Sequence, residues 1–236
     1  MHKGKLFLIP TYLSPSNDAS FIAPMVIDVI KHCSYYFVEN IRTARRFLSS
    51  LNSGLIIEQL TFFQLNKKSA RYDLYPFFES LKNGEDIALM SEAGLPCLAD
   101  PGNIVVAFSH QAGIQVVPLP GASSIQMTLI ASGLNGQQFT FHGYLPIDHI
   151  LRNQKIRELE KAAQAGYSQL FTETPYRNHQ MFKAILETCC PDSLLSIASD
   201  ISGENEFILT QSVQKWKTTD IRIHKIPTIF SFGQFP

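Results

Sequence analysis

The chain has 236 residues, of which 45% are hydrophobic and 17% are charged, a balance that is typical of folded globular proteins and argues against intrinsic disorder. Lysine plus arginine equals aspartate plus glutamate at 20 each, so no net charge would draw a polyanion to the whole molecule. Any nucleic acid would have to meet a local basic patch. No apolar run approaches the ~18 residues that a membrane span needs, and no signal segment is recognisable, so we expect a cytoplasmic protein without membrane contact.

Strand-like and helix-like segments alternate through the first half of the chain. Short apolar runs bounded by proline or glycine predict strands at 5–9, 35–39, 86–91 and 115–117. Apolar residues at helical spacing predict helices at 24–32, 43–51, 75–83 and 122–132, and another that opens at Asp100-Pro101 as N-cap and first turn and ends at Gly113. This alternation favours an α/β fold whose N-terminal part is a doubly wound, mostly parallel sheet.

The second half is richer in consecutive strands. Predicted strands lie at 138–144, 169–172, 194–198, 206–211, 221–224 and 228–232, with helices at 152–165 and 178–188. Strands that follow one another without helices indicate a mixed sheet with antiparallel pairs. A change of composition near Asn135-Gly136-Gln137 predicts the boundary between an N-terminal α/β domain, residues 1–135, and a C-terminal α/β mixed-sheet domain, residues 136–236.

Several common sites are missing from the sequence. There is no GxGxxG after a strand, no GxxxxGK[ST] loop, no HExxH and no histidine–cysteine cluster with zinc spacing, so we expect no metal. The four cysteines also lack CxxC spacing, which predicts reduced, buried thiols of a cytosolic protein.

Three predicted strands of the first half end in unusual turns. The turns are Pro10-Thr11-Tyr12, the segment from Ser91 to Pro96, and the segment from Pro118 to Ser124. In open α/β sheets ligands bind beyond the carboxyl ends of the strands, where backbone N–H groups and acids can hold them. Proline and glycine also end ordinary tight connections, but three such turns at equivalent strand ends favour a binding site.

These turns carry a family resemblance. The segment MSEAGLPCLADPG, from Met90 to Gly102, resembles the [VM]-S-D-A-G-T-P-x-x-x-D-P-G motif of the tetrapyrrole-methylase superfamily of S-adenosylmethionine (SAM) methyltransferases. Within it, the motifs look like those of the bacterial small-subunit rRNA cytidine 2′-O-ribose methyltransferases. Further matches in family order are Val38-Glu39-Asn40-Ile41-Arg42 to A-E-D-T-R, Pro120-Gly121-Ala122-Ser123 to a proline-glycine-small motif, Phe171–Arg177 to F-Y-E-S-P-H-R, and Pro227–Gly233 to P-[TA]-x-x-x-x-G.

The resemblance implies two α/β domains with SAM in the cleft between them, in a protein that is usually a homodimer, with small-subunit rRNA as a partner. Carried over position by position, it implies SAM contacts at Pro10, Ser91, Glu92, Ala93, Gly94, Pro96, Leu98, Ser123, Ser124, Thr172, Glu173, Asp200, Pro227 and Thr228.

The methyl acceptor needs separate candidates. A hydroxyl must lose its proton as it attacks a sulfonium methyl group, so an acid beside the acceptor is expected. Glu39 with Arg42, and Glu173 with Arg177, are the candidate catalytic pairs. Glutamate–arginine pairs three or four residues apart are also common on solvated helix faces.

The sequence departs from the rRNA branch at two places, which keeps three functions open. The family's T-P-I-G-N-L after the first strand lacks its glycine here, and a lysine of G-F-L-P-x-K-x-x-x-R is Asp148. Arg42, Arg45 and Arg46 share one face of a helix and could meet phosphates or simply face solvent. The leading hypothesis is methylation of a ribose 2′-hydroxyl in small-subunit rRNA. The others are methylation of a tetrapyrrole precursor or another small molecule, and non-catalytic SAM or RNA binding.

Overall fold

The computed structural model describes residues 3–65 and 74–235, which form two compact units. The first unit extends to Ser123 and the second begins at Ser124. Each unit contains its own five-stranded sheet with helices packed against it. In the described part of the chain, no helix has both the length and the apolar character to cross a lipid bilayer.

The first unit is built on a parallel sheet. Its elements are β1 (Lys5–Ile9), α1 (Pro24–His32), β2 (Tyr35–Val38), α2 (Ile41–Ser50), β3 (Thr61–Gln64), α3 (Tyr75–Lys82), β4 (Ile87–Met90), α4 (Asn103–Gln111) and β5 (Gln115–Pro118). The strand order is β3-β2-β4-β1-β5, and every neighbouring pair is parallel. The sequence analysis missed β3, a short strand whose residues are exposed or half-buried.

Helices cover both faces of this sheet. Ala88 and Met90 of β4 face the core formed with α1 and α2, whereas Ile87 and Leu89 face the core formed with α3 and α4. All four residues are buried, as expected of a central parallel strand whose two faces are both covered. The predicted doubly wound arrangement is confirmed.

The second unit is built on a mixed sheet. Its elements are α5 (Ser124–Ser132), β6 (Phe139–Tyr144), α6 (His149–Gln164), β7 (Ser168–Thr172), α7 (Asn178–Thr188), β8 (Leu194–Ser199), β9 (Phe207–Ser212), α8 (Val213–Trp216) and β10 (Thr228–Gly233). The order is β6-β7-β10-β8-β9; β6 pairs parallel with β7, and the remaining pairs are antiparallel. The predicted mixed sheet is confirmed.

The two faces of the second sheet are covered by different helices. Apolar side chains of α6, α7 and α8 form the larger core with Phe171, Phe230 and Phe232. Leu129 of α5 packs on the opposite face, against Leu170 and Ile229. Through this contact α5 belongs to the second unit, which begins at Ser124. The boundary expected from composition lies after α5, between residues 135 and 136.

Three details of the predicted elements are wrong. The segment 221–224 is not a strand: the Ile223 carbonyl accepts a hydrogen bond from the Asn178 side chain, and no strand of the described residues pairs with the segment. Asp100 does not cap α4; its carboxylate accepts from the Cys97 and Gly102 N–H groups and closes a turn before the helix. Helix α6 begins at His149, because Asp148 is its N-cap and accepts from the N–H groups of the first turn.

The four cysteines are all free thiols. Cys33 and Cys189 are buried, as predicted, and Cys97 is half-buried. The prediction is wrong for Cys190, which is exposed where the chain leaves α7 and approaches β8.

Asp148 offers a test of the N-cap. Hydrogen bonds that it accepts from the Leu151 and Ile150 N–H groups lower the pKa of its carboxyl, so the charged form stabilises the start of α6. We expect Asp148→Asn to keep most of the thermal stability and Asp148→Lys to lower the melting temperature by a few degrees, measured by circular dichroism.

The same charge reversal at Asp192, an exposed turn residue, is the control and should leave the melting temperature unchanged. Equal losses in Asp148→Lys and Asp192→Lys would assign the effect to charge and contradict the capping role.

Candidate functional site

The carboxyl ends of four parallel strands meet at one edge of the first sheet. We call this edge the first strand-end site and define it by Pro10–Tyr12 after β1, Glu39 after β2, Ser91–Gly94 after β4, and Leu119–Gly121 after β5. Because β4, β1 and β5 are neighbours in the sheet, the three turns that the sequence analysis singled out lie side by side.

Backbone hydrogen bonds join the turns after β1 and β4. The Thr11 N–H donates to the Gly94 carbonyl at 3.0 Å, and the Gly94 N–H donates to the Tyr12 carbonyl at 3.3 Å. The Thr11 hydroxyl also donates to the Ser91 carbonyl at 3.4 Å. Hydrogen bonds therefore join the chain segments that follow β1 and β4, beyond the last paired residues of the two strands. The sequence analysis included Thr11 in this turn but listed only Pro10 as a cofactor contact.

Two glycines allow the turns to approach this closely. Gly94 has φ +70, and a Cβ placed on it would lie 2.7 Å from Leu13 Cδ2 and 2.9 Å from the Ala122 carbonyl oxygen. A Cβ on Gly121 would lie 2.1 Å from Pro10 Cβ. Any side chain at either position would separate the turns.

The turn after β1 lacks the family's glycine and carries Tyr12, whose side chain packs against α2. The Tyr12 ring packs edge-on against Phe47 with centroids 4.8 Å apart, and its hydroxyl accepts from Ser50 Oγ at 3.2 Å. The tyrosine ring is therefore held by α2, and the Thr11 N–H still reaches the Gly94 carbonyl beside it.

The chain after Gly94 forms a second turn that is closed by Asp100. Its carboxylate accepts from the Cys97 and Gly102 N–H groups, both at 2.7 Å, and Cys97 and Ala99 have positive φ. This turn buries Pro96 and leaves the Leu98 side chain 45% exposed. Leu98 is thus available to a ligand, whereas Pro96 contributes through packing.

Glu39 is the acid that the first sheet places at this edge. Its Oε1 accepts from the Glu92 N–H at 3.1 Å, and Glu92 Oε2 accepts from Thr43 Oγ1 at 3.5 Å. Burial raises the pKa of the Glu39 carboxyl above its ordinary value; the Glu92 N–H opposes this shift, and the charges of Asp100 and Glu92 add to it.

The predicted pair of Glu39 and Arg42 is not in contact. Arg42 is exposed on α2, and among the described residues no carboxylate lies within 4.0 Å of its guanidinium group. Arg45 and Arg46 are exposed on the same helix, and Arg45 Cζ lies 5.3 Å from the centroid of the Phe62 ring. The shared face of the three arginines is therefore solvent-accessible.

One edge of the second sheet gathers the remaining candidates. We call this edge the second strand-end site and define it by Thr172–Glu173 after β7, Asp200 after β8, and Pro227–Thr228 at the start of β10. The Thr172 hydroxyl donates to the Thr228 carbonyl at 3.0 Å, and the Asp200 N–H donates to the Pro227 carbonyl at 3.0 Å.

Asp200 shapes its own turn. It has φ +49, its carboxylate accepts from the Asn205 N–H at 2.9 Å, and its carbonyl accepts from the Gly203 N–H at 2.7 Å. One carboxylate oxygen is therefore used inside the segment 200–205.

Asn178 is a structural residue of this edge that sequence reasoning did not single out. It is completely buried, and its Nδ2 donates to the carbonyls of Ile223 and Ile226 and to the Thr228 hydroxyl, at 2.9, 2.7 and 3.2 Å. These bonds fix the segment that leads into β10. No local pattern predicts them, because the partners lie far along the chain.

Buried Glu173 forms an ion pair with half-buried Arg177. Glu173 is 4% exposed, and its Oε1 accepts from Arg177 Nη2 at 2.5 Å, from Arg177 Nε at 3.1 Å and from the Thr174 N–H at 2.6 Å. Of the two predicted pairs, Glu173 and Arg177 are therefore in contact, whereas Glu39 and Arg42 are not.

The two serines of the Pro120-Gly121 segment lie on either side of the division between the units. Ser123 is buried and ends the first unit, and Ser124 is half-buried and begins α5 in the second. Across residues 3–65 and 74–235, no three histidine, cysteine, aspartate or glutamate side chains are grouped so that they could hold a metal ion.

A doubly wound parallel sheet, a mixed sheet, and polar turns at the strand ends define an α/β protein with a candidate ligand site at each sheet edge. The family model described as Tetrapyrrole (Corrin/Porphyrin) Methylases matches residues 28–216. The chain belongs to this family, and the resemblance read from its motifs is confirmed.

Curated relatives carry the name of one RNA-modifying enzyme. The chain is 32% identical over 214 residues to Ribosomal RNA small subunit methyltransferase I of Bacillus subtilis (strain 168), which covers 90% of this chain and 64% of the relative. It is 30% identical over 210 residues to the protein of that name from Vibrio cholerae serotype O1, with 89% and 65% covered. The chain thus spans less than two thirds of these relatives' length.

Solved structures share the fold at low sequence identity. A conserved hypothetical protein from Aeropyrum pernix K1 matches with a TM-score of 0.63 and 15% identity, covering 100% of this chain and 86% of its own. The uroporphyrin-III-C-methyltransferase of Thermus thermophilus matches with a TM-score of 0.58 and 13% identity, covering 98% and 94%. These likenesses support the fold.

The raised pKa of Glu39 predicts a pH-dependent effect of removing its charge. Above its folded pKa the half-buried carboxylate lowers stability, and protonation relieves this cost as the pH falls through that pKa. Glu39→Gln keeps an oxygen for the Glu92 N–H. We therefore expect the variant to be more stable than wild type near neutral pH, with an advantage that shrinks towards about pH 4 in urea unfolding.

Glu58→Gln, at an exposed acid of the same unit, is the matched control and should show no comparable trend. An advantage of Glu39→Gln that grows on acidification would refute the raised pKa.

Proposed function

We propose that this protein is a SAM-dependent methyltransferase that acts on a ribose 2′-hydroxyl of small-subunit rRNA. The observation that carries the proposal is the match, over most of this chain, to relatives named for methylation of that RNA. The family membership supports methyl transfer, and the relatives' name supports the acceptor. A ribosomal acceptor would place the protein in the cytoplasm, and a homodimer is part of the proposal.

The strand-end sites suit the methyl donor chemically. When bound, SAM would supply an electrophilic methyl group on a sulfonium cation. The first strand-end site offers oxygens rather than cations: the Ser91 hydroxyl, the Glu92 carboxylate and the turn carbonyls. Oxygens favour a cation and can bind ribose hydroxyls. The residues present therefore fit the cofactor.

The cofactor contacts proposed for each unit follow from its own geometry. In the first unit, Ser91, Glu92, Ala93 and Gly94 form the turn that pairs with Thr11, Pro10 packs on Gly121, and Leu98 presents an exposed side chain. In the second, Thr172 and Thr228 are joined by a hydrogen bond, and Asn178 fixes the latter. Pro96, Ser123, Ser124, Glu173, Asp200 and Pro227 complete the proposed set.

Glu39 is the better of the two candidate bases. One of its oxygens is anchored by the Glu92 N–H, and the other has no hydrogen-bond partner among the described residues. Its raised pKa brings the carboxylate closer to the range in which it can accept a proton from a hydroxyl. Glu173 is instead paired with Arg177. We propose that this pair stabilises the turn after β7 and binds an anionic or polar group of the substrate or cofactor.

Cofactor binding tests the first strand-end site. Wild type should bind SAM and S-adenosylhomocysteine in isothermal titration. Gly121→Ala should weaken both by about tenfold or more, because the new Cβ would push Pro10 and the turn after β1 out of position.

Gly136→Ala is the control, since a Cβ there meets nothing within 4 Å. Absence of heat with wild type at millimolar ligand, or equal affinities for wild type and Gly121→Ala, would remove the proposed site.

Methyl transfer tests the reaction and the base. With labelled SAM, deproteinised small-subunit rRNA should gain ribose-bound label, and Glu39→Gln should lower kcat by about 10²–10⁴ while SAM affinity is retained. Glu58→Gln should behave as wild type.

Incorporation into a tetrapyrrole precursor instead of rRNA would support the small-molecule alternative. SAM or RNA binding with no turnover on either acceptor would support a non-catalytic member. Full activity of Glu39→Gln would exclude Glu39 as the base.

A further inference from the structure

An exposed aromatic and basic surface lies beside the second strand-end site. We call it the Tyr176 patch and define it by Tyr176, His179, His224 and Lys225. All four residues are exposed, and Tyr176 is 72% exposed. Lys225 Nζ lies 5.7 Å from the centroid of the Tyr176 ring, and the rings of His179 and His224 lie 6.0 Å apart at 30°.

The patch is held by buried structure. The Lys225 N–H donates to the Pro175 carbonyl at 3.0 Å, which ties the segment before β10 to the short helical turn before α7. Asn178 binds the carbonyls of Ile223 and Ile226 on either side of Lys225. Lys225 itself has φ +61. The side chains of the patch are therefore presented by a fixed backbone, which reduces the entropy lost on binding.

The exposed ring of Tyr176 contributes little to the core. Its hydroxyl has no hydrogen-bond partner among the described residues, and at 72% exposure the ring has most of its surface in contact with water. A solvent-facing aromatic ring on a fixed backbone can stack on a nucleobase, because every base presents a π-face.

The charge of the patch also suits a polyanion. No carboxylate in the described chain lies within 4.0 Å of the Lys225 amine, and the nearby Glu173 is already paired with Arg177. The sequence has no aspartate or glutamate after Asp220, so no acid flanks His224 and Lys225 on that side. The basic residue Arg222 lies between Asp220 and the patch. Lysine and imidazole N–H groups can donate to phosphate oxygens.

We propose that the Tyr176 patch binds single-stranded RNA, with the Tyr176 ring stacking on a base and Lys225 contacting a phosphate. The inference rests on the proposal that RNA is the substrate, and it adds where the strand would be held. An acidic peptide would satisfy Lys225 but would leave the tyrosine ring without a role, so RNA fits the combination better.

Binding to RNA can be measured without methyl transfer. The full chain is titrated into a fluorescein-labelled, unstructured single-stranded RNA of about twelve nucleotides, and anisotropy is followed from about 50 to 200 mM salt. Tyr176→Ala should weaken binding by about tenfold, whereas Tyr176→Phe, which keeps the ring, should bind as wild type. Lys225→Gln should reduce the magnitude of the salt slope by about 0.7.

Tyr167→Ala and Lys183→Gln are the matched controls, because both residues are exposed on the second unit outside the patch. They should bind RNA as wild type does. Wild-type binding by both patch variants, equal losses in Tyr176→Ala and Tyr176→Phe, or no RNA binding by wild type would overturn the inference. Polyglutamate is the probe for the acidic-peptide alternative. If the patch variants weaken binding of polyglutamate but leave binding of RNA unchanged, the inference is also overturned.

The outcome is separable from that of the proposed reaction. Patch-dependent RNA binding without methylation of rRNA would sustain this inference and reject the reaction. Methylation of rRNA by wild type, together with unchanged RNA binding by the patch variants, would support the reaction and reject the role of the Tyr176 patch.

Discussion

The close approach of three strand-end turns is the constraint on which the candidate site depends. Parallel pairing of β4, β1 and β5 brings their carboxyl ends together, but it does not bring the turns into contact. Contact requires positions without a side chain, and Gly94 and Gly121 supply them, since a Cβ on either would overlap its neighbours. Backbone hydrogen bonds between Thr11 and Gly94, and between Gly94 and Tyr12, then join the turns after β1 and β4.

The second unit reaches a similar result by different means. Its sheet is mixed, so the ends of β7 and β8 and the start of β10 share one edge because β10 runs antiparallel between the other two strands. In the described part of the chain, no strand pairs with the segment that enters β10. Asn178 replaces those missing ladder bonds with side-chain bonds to two carbonyls, and the Tyr176 patch is a consequence of where that clamp holds the chain.

Much of the fold could be predicted because its signals are local. Buried strands such as β4 are short apolar runs with glycine, proline or acidic residues at their ends. That pattern can be recognised without knowing which strand pairs with them. The failures share a different cause. Ile221 and Ile223 alternate like strand residues, yet their segment is held by Asn178, which lies more than forty residues earlier. The motif comparison marks Asp148 only as a departure from the family's lysine, although an acid just before a helix is also a cap signal.

The candidate acids show why site chemistry is harder to predict than fold. Glu39 and Glu173 both precede an arginine at short spacing, and the sequence treats them alike. In the structure Glu173 is buried against Arg177, which compensates its charge and fixes its position, whereas Arg42 is away from Glu39 and burial raises the pKa of the Glu39 carboxyl. A compensated anion is suited to holding a turn, and an uncompensated, half-buried one is suited to accepting a proton. The proposed division of roles between Glu39 and Glu173 rests on which guanidinium group reaches its carboxylate, and tertiary packing decides that.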